Sequence, residues 1–119
     1  MIPETSQTFQ YGAVVTLTVQ FIDPIATAAN NGVPVPVDIA GASDLLIGLL
    51  LPDQATSQNY TAAFVTDGSD GKIYYNTVYN TDLVQLGLFE IQGKVTLGGS
   101  PLLSAKGYFS VVSNVDNTD

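Results

Sequence analysis

The chain contains no cysteine, no histidine, no tryptophan and no arginine. Each absence removes a class of chemistry. Without cysteine there is no disulfide, no thiolate metal site and no thiol nucleophile. Without histidine the serine and threonine hydroxyls lack the usual base for acyl transfer, and nothing marks a Ser–Lys pair in its place. Glycoside hydrolysis needs two carboxylates facing each other across a cleft. A small domain with no tryptophan to line such a cleft is a poor candidate for it. The cations are Lys72, Lys94 and Lys106, against eleven acidic residues, for a net charge of −8. That balance argues against binding nucleic acid, whose phosphates need Lys and Arg, and against an anionic membrane surface. A basic partner surface, a neutral glycan or a cation is compatible with it. The longest apolar run, residues 45–51, is too short to span a bilayer. The opening MIPETSQTFQ has neither the basic n-region nor the apolar h-region of a signal peptide.

What is present is strand sequence. The 119 residues, 45% of them hydrophobic, suit one domain with a sizeable core. Residues 83–112 organise the rest and read as one long β-hairpin. In its first arm Phe89, Ile91, Val95 and Leu97 share one parity, and Glu90, Gln92, Lys94 and Thr96 the other. Alternation of this kind separates a dry face from a wet one. Gly98-Gly99-Ser100-Pro101 makes the turn, with pairing expected to stop at the proline. The second arm carries Leu103, Ala105, Gly107, Phe109 and Val111 on one parity. A single hairpin is not stable alone, so a partner sheet is required.

Residues 12–22 read as a strand, with Val15, Leu17, Val19 and Phe21 alternating against Thr16, Thr18 and Gln20. Residues 23–37 form a long connector. Asn30-Asn31-Gly32 signals a turn, Pro34 and Pro36 forbid regular pairing, and residues 26–29 can make one helical turn. Val37-Asp38-Ile39 is a short strand. Residues 44–51, DLLIGLLL, lose alternation, which predicts a central strand covered on both faces, the second by another layer or another subunit. Residues 59–66 and 72–78 are two more strands joined by Asp67-Gly68-Ser69-Asp70-Gly71, whose Asp-Gly steps suit a hairpin loop. Thr81 or Asp82 can cap a single helical turn that Gly87 ends. About seven strands, frequent turn signals and no long helix predict a single antiparallel β-sandwich spanning residues 1–119. It carries an N-terminal arm at 1–11 and a polar C-terminal tail at 113–119.

Three groups of residues are candidates for function. Asp67 and Asp70, with Asp53 joining from a neighbouring turn, are the candidate calcium ligands, because calcium takes six to eight oxygens from loop carboxylates and carbonyls. The same Asp-Gly steps also serve a hairpin loop for backbone reasons alone. No other cofactor is implied and no catalytic residue stands out. Tyr60, Tyr74, Tyr75 and Tyr79 cluster in adjacent strands and offer either a binding face or core. Phe9 and Tyr11 in the arm, Val33 and Val35 in the connector, and Leu46 and Leu50 in the apolar strand are candidate interface residues.

Several steps together resemble a known family. They are Asp70-Gly71-Lys72-Ile73-Tyr74-Tyr75, then Asp82-Leu83, Gly87-Leu88-Phe89-Glu90-Ile91-Gln92-Gly93, Gly98-Gly99 and Phe109-Ser110-Val111. Val37-Asp38-Ile39-Ala40-Gly41-Ala42 and Pro52-Asp53 add to them. Residues 35–112 thus resemble the small Ig-like domains of tailed-phage virion proteins, among them the N-terminal domain of the baseplate upper protein family and short capsid and tail accessory proteins. Two departures stand out: Gln54 replaces a glycine, and the insertion at 23–36 is longer than usual. Phe89 sits where Ig-like sandwiches often place a corner tyrosine, so packing must replace the hydroxyl bond there. The resemblance implies an Ig-like fold and a virion structural protein without catalysis. A capsid decoration or cement protein on the capsid surface is expected, bound to the major capsid protein as a homo-oligomer, by analogy a trimer. A tail or baseplate adaptor and a carbohydrate- or receptor-binding module are the alternatives.

Overall fold

A computed structural model describes residues 7–79 and 81–113 of the chain. The strands are β1 (Gln7–Gln10), β2 (Thr16–Gln20), β3 (Ser43–Leu50), β4 (Ser57–Thr61), β5 (Ala63–Phe64), β6 (Lys72–Asn76), β7 (Gly87–Leu97), β8 (Ser100–Leu103) and β9 (Gly107–Val112), with one short helix, α1 (Pro24–Ala29). They form two sheets packed face to face. Sheet A has six strands in the order β1-β9-β7-β3-β4, with β8 also paired to β7, and sheet B has three in the order β2-β6-β5. The fold is therefore all-β and sandwich-like.

The core lies between the sheets because each strand alternates. Leu17, Val19 and Ile73 face inward from sheet B, and Ile47, Leu49, Phe89, Val95, Phe109 and Val111 from sheet A, all buried. Phe21, Ile39 and Leu83 close the layer from the connecting segments and are likewise buried. Burying such a side chain contributes about 1.5–3 kcal/mol relative to leaving it exposed. Phe89 stacks on Phe109, with ring centroids 5.0 Å apart. At Gly93 the sheets approach so closely that a Cβ would lie 2.8 Å from Val19 Cγ1.

Several sequence expectations change in the structure. The sandwich is not wholly antiparallel, since β1 pairs parallel to β9, Gln7 opposite Phe109 through Gln10 opposite Val112. Residues 7–10 of the arm are thus a strand of their own sheet, and residues 1–6 lie outside the described residues. The strand expected over 59–66 is two strands. It breaks at Ala62 and crosses from sheet A to sheet B, which leaves Tyr60 and Phe64 on the inner side of both. Residues 37–39 form no ladder; Val37 N–H donates to Phe21 O and Ile39 N–H to Gly68 O. No helical turn starts at Thr81 or Asp82; Asp82 instead accepts backward from Val78 N–H at 2.7 Å. The helical turn in the connector does form, and Asp23 caps it by accepting from the Ile25 and Ala26 N–H groups.

The hairpin also bends differently. Pairing continues through Pro101, which lies opposite Thr96. Lys94 of β7 lies opposite Leu103 of β8 and Ile91 opposite Gly107 of β9, so residues 104–106 of the returning arm span only residues 92–93 of β7. One extra residue, a β-bulge, therefore lies between β8 and β9. Buried Ser104 holds it: its Oγ accepts from Gly93 N–H at 2.8 Å, and Ser104 N–H donates to Gly93 O at 3.0 Å. The bulge reverses parity, so Leu102 packs inward while Leu103 is 58% exposed.

Candidate functional site

The register places one continuous row of side chains on the outer face of sheet A. Ile47 and Leu49 point into the core, so Leu46, Gly48 and Leu50 point outward. Alternation in β7, β8 and β9 turns Leu88, Glu90, Gln92 and Lys94, then Leu103, then Tyr108 and Val112, to the same side. Thr61, Leu46, Lys94 and Leu103 lie directly across from one another. Leu46 and Leu50 are half-buried, and Leu88, Leu103, Tyr108 and Val112 are exposed. The loss of alternation in DLLIGLLL has its cause here: the inward residues fill the core and the outward ones make this surface.

Gly48 lies low in the face because it has no side chain. With Leu50, Asn59, Gln92, Lys94 and Leu103 around it, a shallow dent of about 210 Å³ opens to solvent. Lys106 Nζ meets Glu90 Oε2 at 3.3 Å, an exposed pair that adds little stability but neutralises the carboxylate of this face. The outer face of sheet B is different in kind: Thr16, Thr18, Gln20, Lys72, Tyr74 and Asn76 make it mostly polar.

The carboxylates lie mainly elsewhere. β2 runs towards the connector and β6 starts beside it, so the β5–β6 loop and the connector share one end of the sandwich. Asp23, Asp38, Asp67 and Asp70 lie at that end, with Asp44 at the adjoining start of β3. Asp53 caps the β3–β4 turn at the opposite end, where Pro52 packs on Gly87. The sandwich thus separates Asp53 from Asp67 and Asp70, and among the described residues no three acidic side chains gather as a metal group. Each of the three carboxylates serves its own loop. Asp67 Oδ1 accepts from the Ser69 hydroxyl at 2.6 Å and Ser69 N–H at 2.9 Å. Those bonds hold its carboxyl below the usual range. Asp70 accepts from Lys72 N–H and the Thr66 hydroxyl. Asp53 accepts from Thr56 N–H, Ala55 N–H and the Thr56 hydroxyl, which together bring its pKa down to about 2.

The glycines of the β5–β6 loop answer to the connector as well as to the turn. Gly71 has φ +72°, and a Cβ there would stand 2.7 Å from Phe21 O and 2.9 Å from Val37 O. Only glycine satisfies both the backbone angle and the approach.

The tyrosines do not share one surface. Tyr60 of sheet A and Tyr75 of sheet B stack on each other between the sheets, with centroids 4.6 Å apart and planes 18° from parallel. Tyr75 donates its hydroxyl to Asp82 Oδ2 at 2.6 Å. Burial, and then the bond to this carboxylate, push the Tyr75 phenol above its ordinary range; burial and the Asp82 charge do the same to Tyr60. Tyr74 faces outward beside Thr18, and Tyr79 is 73% exposed in the following loop.

The remaining interface candidates fall in three places. Phe9 packs against the core, 5.3 Å from Phe109. Tyr11 is partly exposed where its N–H donates to Val112 O. Val33 is exposed on the connector, whereas Val35 is half-buried and tied by its N–H to the Thr27 hydroxyl. Only Leu46 and Leu50 join a larger apolar surface. Sequence reasoning missed Leu88, Leu103, Tyr108 and Val112 as members of it. Ser104 in the middle of a hairpin arm was the signal for the parity change that exposes Leu103.

No protein-family model matches this sequence, and neither a curated protein nor a solved structure is significantly similar to it.

Proposed function

We propose that this chain is a non-enzymatic structural component of a tailed-phage particle: a decoration or cement protein on the capsid surface. It binds the major capsid protein and strengthens the head lattice as a symmetric homo-oligomer, with three copies as the expected number. The observation that carries an assembly role is the outer face of sheet A. An antiparallel sheet ordinarily gives one face to water, as sheet B does, whereas this face gathers Leu46, Leu50, Leu88, Leu103, Tyr108 and Val112 around the polar stripe of Glu90, Gln92 and Lys94, and so many apolar side chains on one outer face support an interaction site. The particle setting is supported by the family resemblance of residues 35–112.

We also read the sandwich as Ig-like. In that fold a sheet of strands C, F and G faces a sheet of B, E and D, and the variable type extends the first sheet beside C. Taking β2, β3, β5, β6, β7 and β9 as B, C, D, E, F and G, with β4 as the extension, reproduces that order. Phe89 has no corner hydroxyl; in the opposite sheet, on the strand before it in sequence, Tyr75 makes a hydroxyl bond to Asp82.

The test is mass spectrometry of density-banded particles from the source culture, with heads separated from tails. Peptides of this chain at a level comparable to the major capsid protein support decoration. A few copies travelling with tails shift the assignment to an adaptor. Absence from washed particles overturns the reading.

A further inference from the structure

We infer that the outer face of sheet A is covered by a second copy of this chain, with Leu103 of one copy seated in the Gly48 dent of the other. This rests on the assembly part of the reading above and names the partner for that face. The first argument is charge. A chain of net charge −8 repels its own copies. Asp23, Asp38, Asp44, Asp67 and Asp70 crowd the connector end, and Asp53 lies at the other end. The outer face of sheet A has Glu90 as its carboxylate, already paired with Lys106, and carries Lys94 in the middle of its apolar row. Approach through this face keeps the carboxylate-rich ends apart.

The second argument is shape. A contact between copies needs a surface complementary to itself, or to a second patch on the same molecule. Here knob and hole adjoin on one face, which makes the contact two-fold and joins copies in pairs, in place of the three expected by analogy: Leu103 stands 58% exposed beside the dent of about 210 Å³ floored by Gly48.

The experiment is the solution mass of the purified chain by light scattering over a concentration series, from low salt to about 1 M salt, where screening removes long-range repulsion. The chain is expected to be an oligomer that tightens as salt rises. Leu103→Asp and Lys94→Glu change exposed side chains, and circular dichroism and thermal unfolding verify that each variant is folded. Each should weaken association about tenfold or more, while Val33→Asp on the connector leaves it unchanged. A monomer at every concentration and salt overturns the inference. So does an oligomer whose mass Leu103→Asp and Lys94→Glu leave in place. The result is separable from the virion assignment: absence from banded particles removes that assignment and leaves the contact between copies standing.

Discussion

Replacing Asp82 tests the link that joins the two sheets to the loop between β6 and β7. Asp82 is 7% exposed, and its Oδ2 accepts from the Tyr75 hydroxyl at 2.6 Å and from Val78 N–H at 2.7 Å. A hydrogen bond to a charged acceptor contributes about 1.5–3 kcal/mol. Tyr75 is only partly buried, so the lower part of that range applies and water recovers some of the loss. Asp82→Ala is then expected to cost about 3–4 kcal/mol, and Tyr75→Phe, which keeps the stack on Tyr60, about 1.5–2 kcal/mol. For a domain of this size about 1 kcal/mol corresponds to about 4 °C, so Asp82→Ala should lower Tm by about 12–16 °C. Urea unfolding of both single variants and the double variant gives the coupling. If the Tyr75–Asp82 bond is the shared element, the double variant costs little more than Asp82→Ala alone, a coupling of about 1.5–2 kcal/mol. A loss below about 1 kcal/mol for Asp82→Ala, or additive single effects, would refute the reasoning.

Gly93→Ala places a methyl 2.8 Å from Val19 Cγ1 and 3.1 Å from Phe21 Cζ, so overpacking should destabilise by about 1–3 kcal/mol in chemical denaturation. Ser104→Ala removes the acceptor of a buried Gly93 N–H and should cost about 1–3 kcal/mol; amide exchange should show Gly93 losing protection first. Asp53 has a folded pKa of about 2 against an ordinary 3.8, so it stabilises the fold above about pH 4, and that contribution is lost as pH falls towards 2. Asp53→Asn should lower stability at neutral pH and flatten the acid limb of a stability–pH profile. The raised Tyr75 phenol works on the other limb. Its contribution is complete below the ordinary phenol pKa near 10 and is lost as pH rises above it, so Tyr75→Phe should flatten the alkaline decline.

Much of the architecture was legible because strand periodicity is local. Alternation in residues 15–21, 72–77 and 89–97 assigns strand and inward face with no knowledge of neighbours, and Phe21, Ile73, Phe89 and Val95 are buried as that pattern predicts. Composition likewise excludes thiol and imidazole chemistry without any fold. Three things were not local. The parallel pairing of β1 with β9 joins segments about a hundred residues apart, and no pattern in Gln-Thr-Phe-Gln specifies a partner. The crossing at Ala62 keeps its alternation while changing sheets, so periodicity alone reads one strand. The bulge at Ser104 reverses parity through bonds to Gly93, which the sequence shows only as one serine between apolar residues.

The candidate site divides the same way. Residues 44–51 carry more apolar surface than one core face can use, and this is plain from the residues alone, because both parities of that strand are leucine-rich. What the second parity meets depends on the folded arrangement. It sets Leu46 and Leu50 beside Lys94, Leu103 and Tyr108, and it carries most of the loop carboxylates to the ends of the sandwich. Charge and apolarity are properties of residues, but a face is a property of register, and register is set by pairings between distant strands.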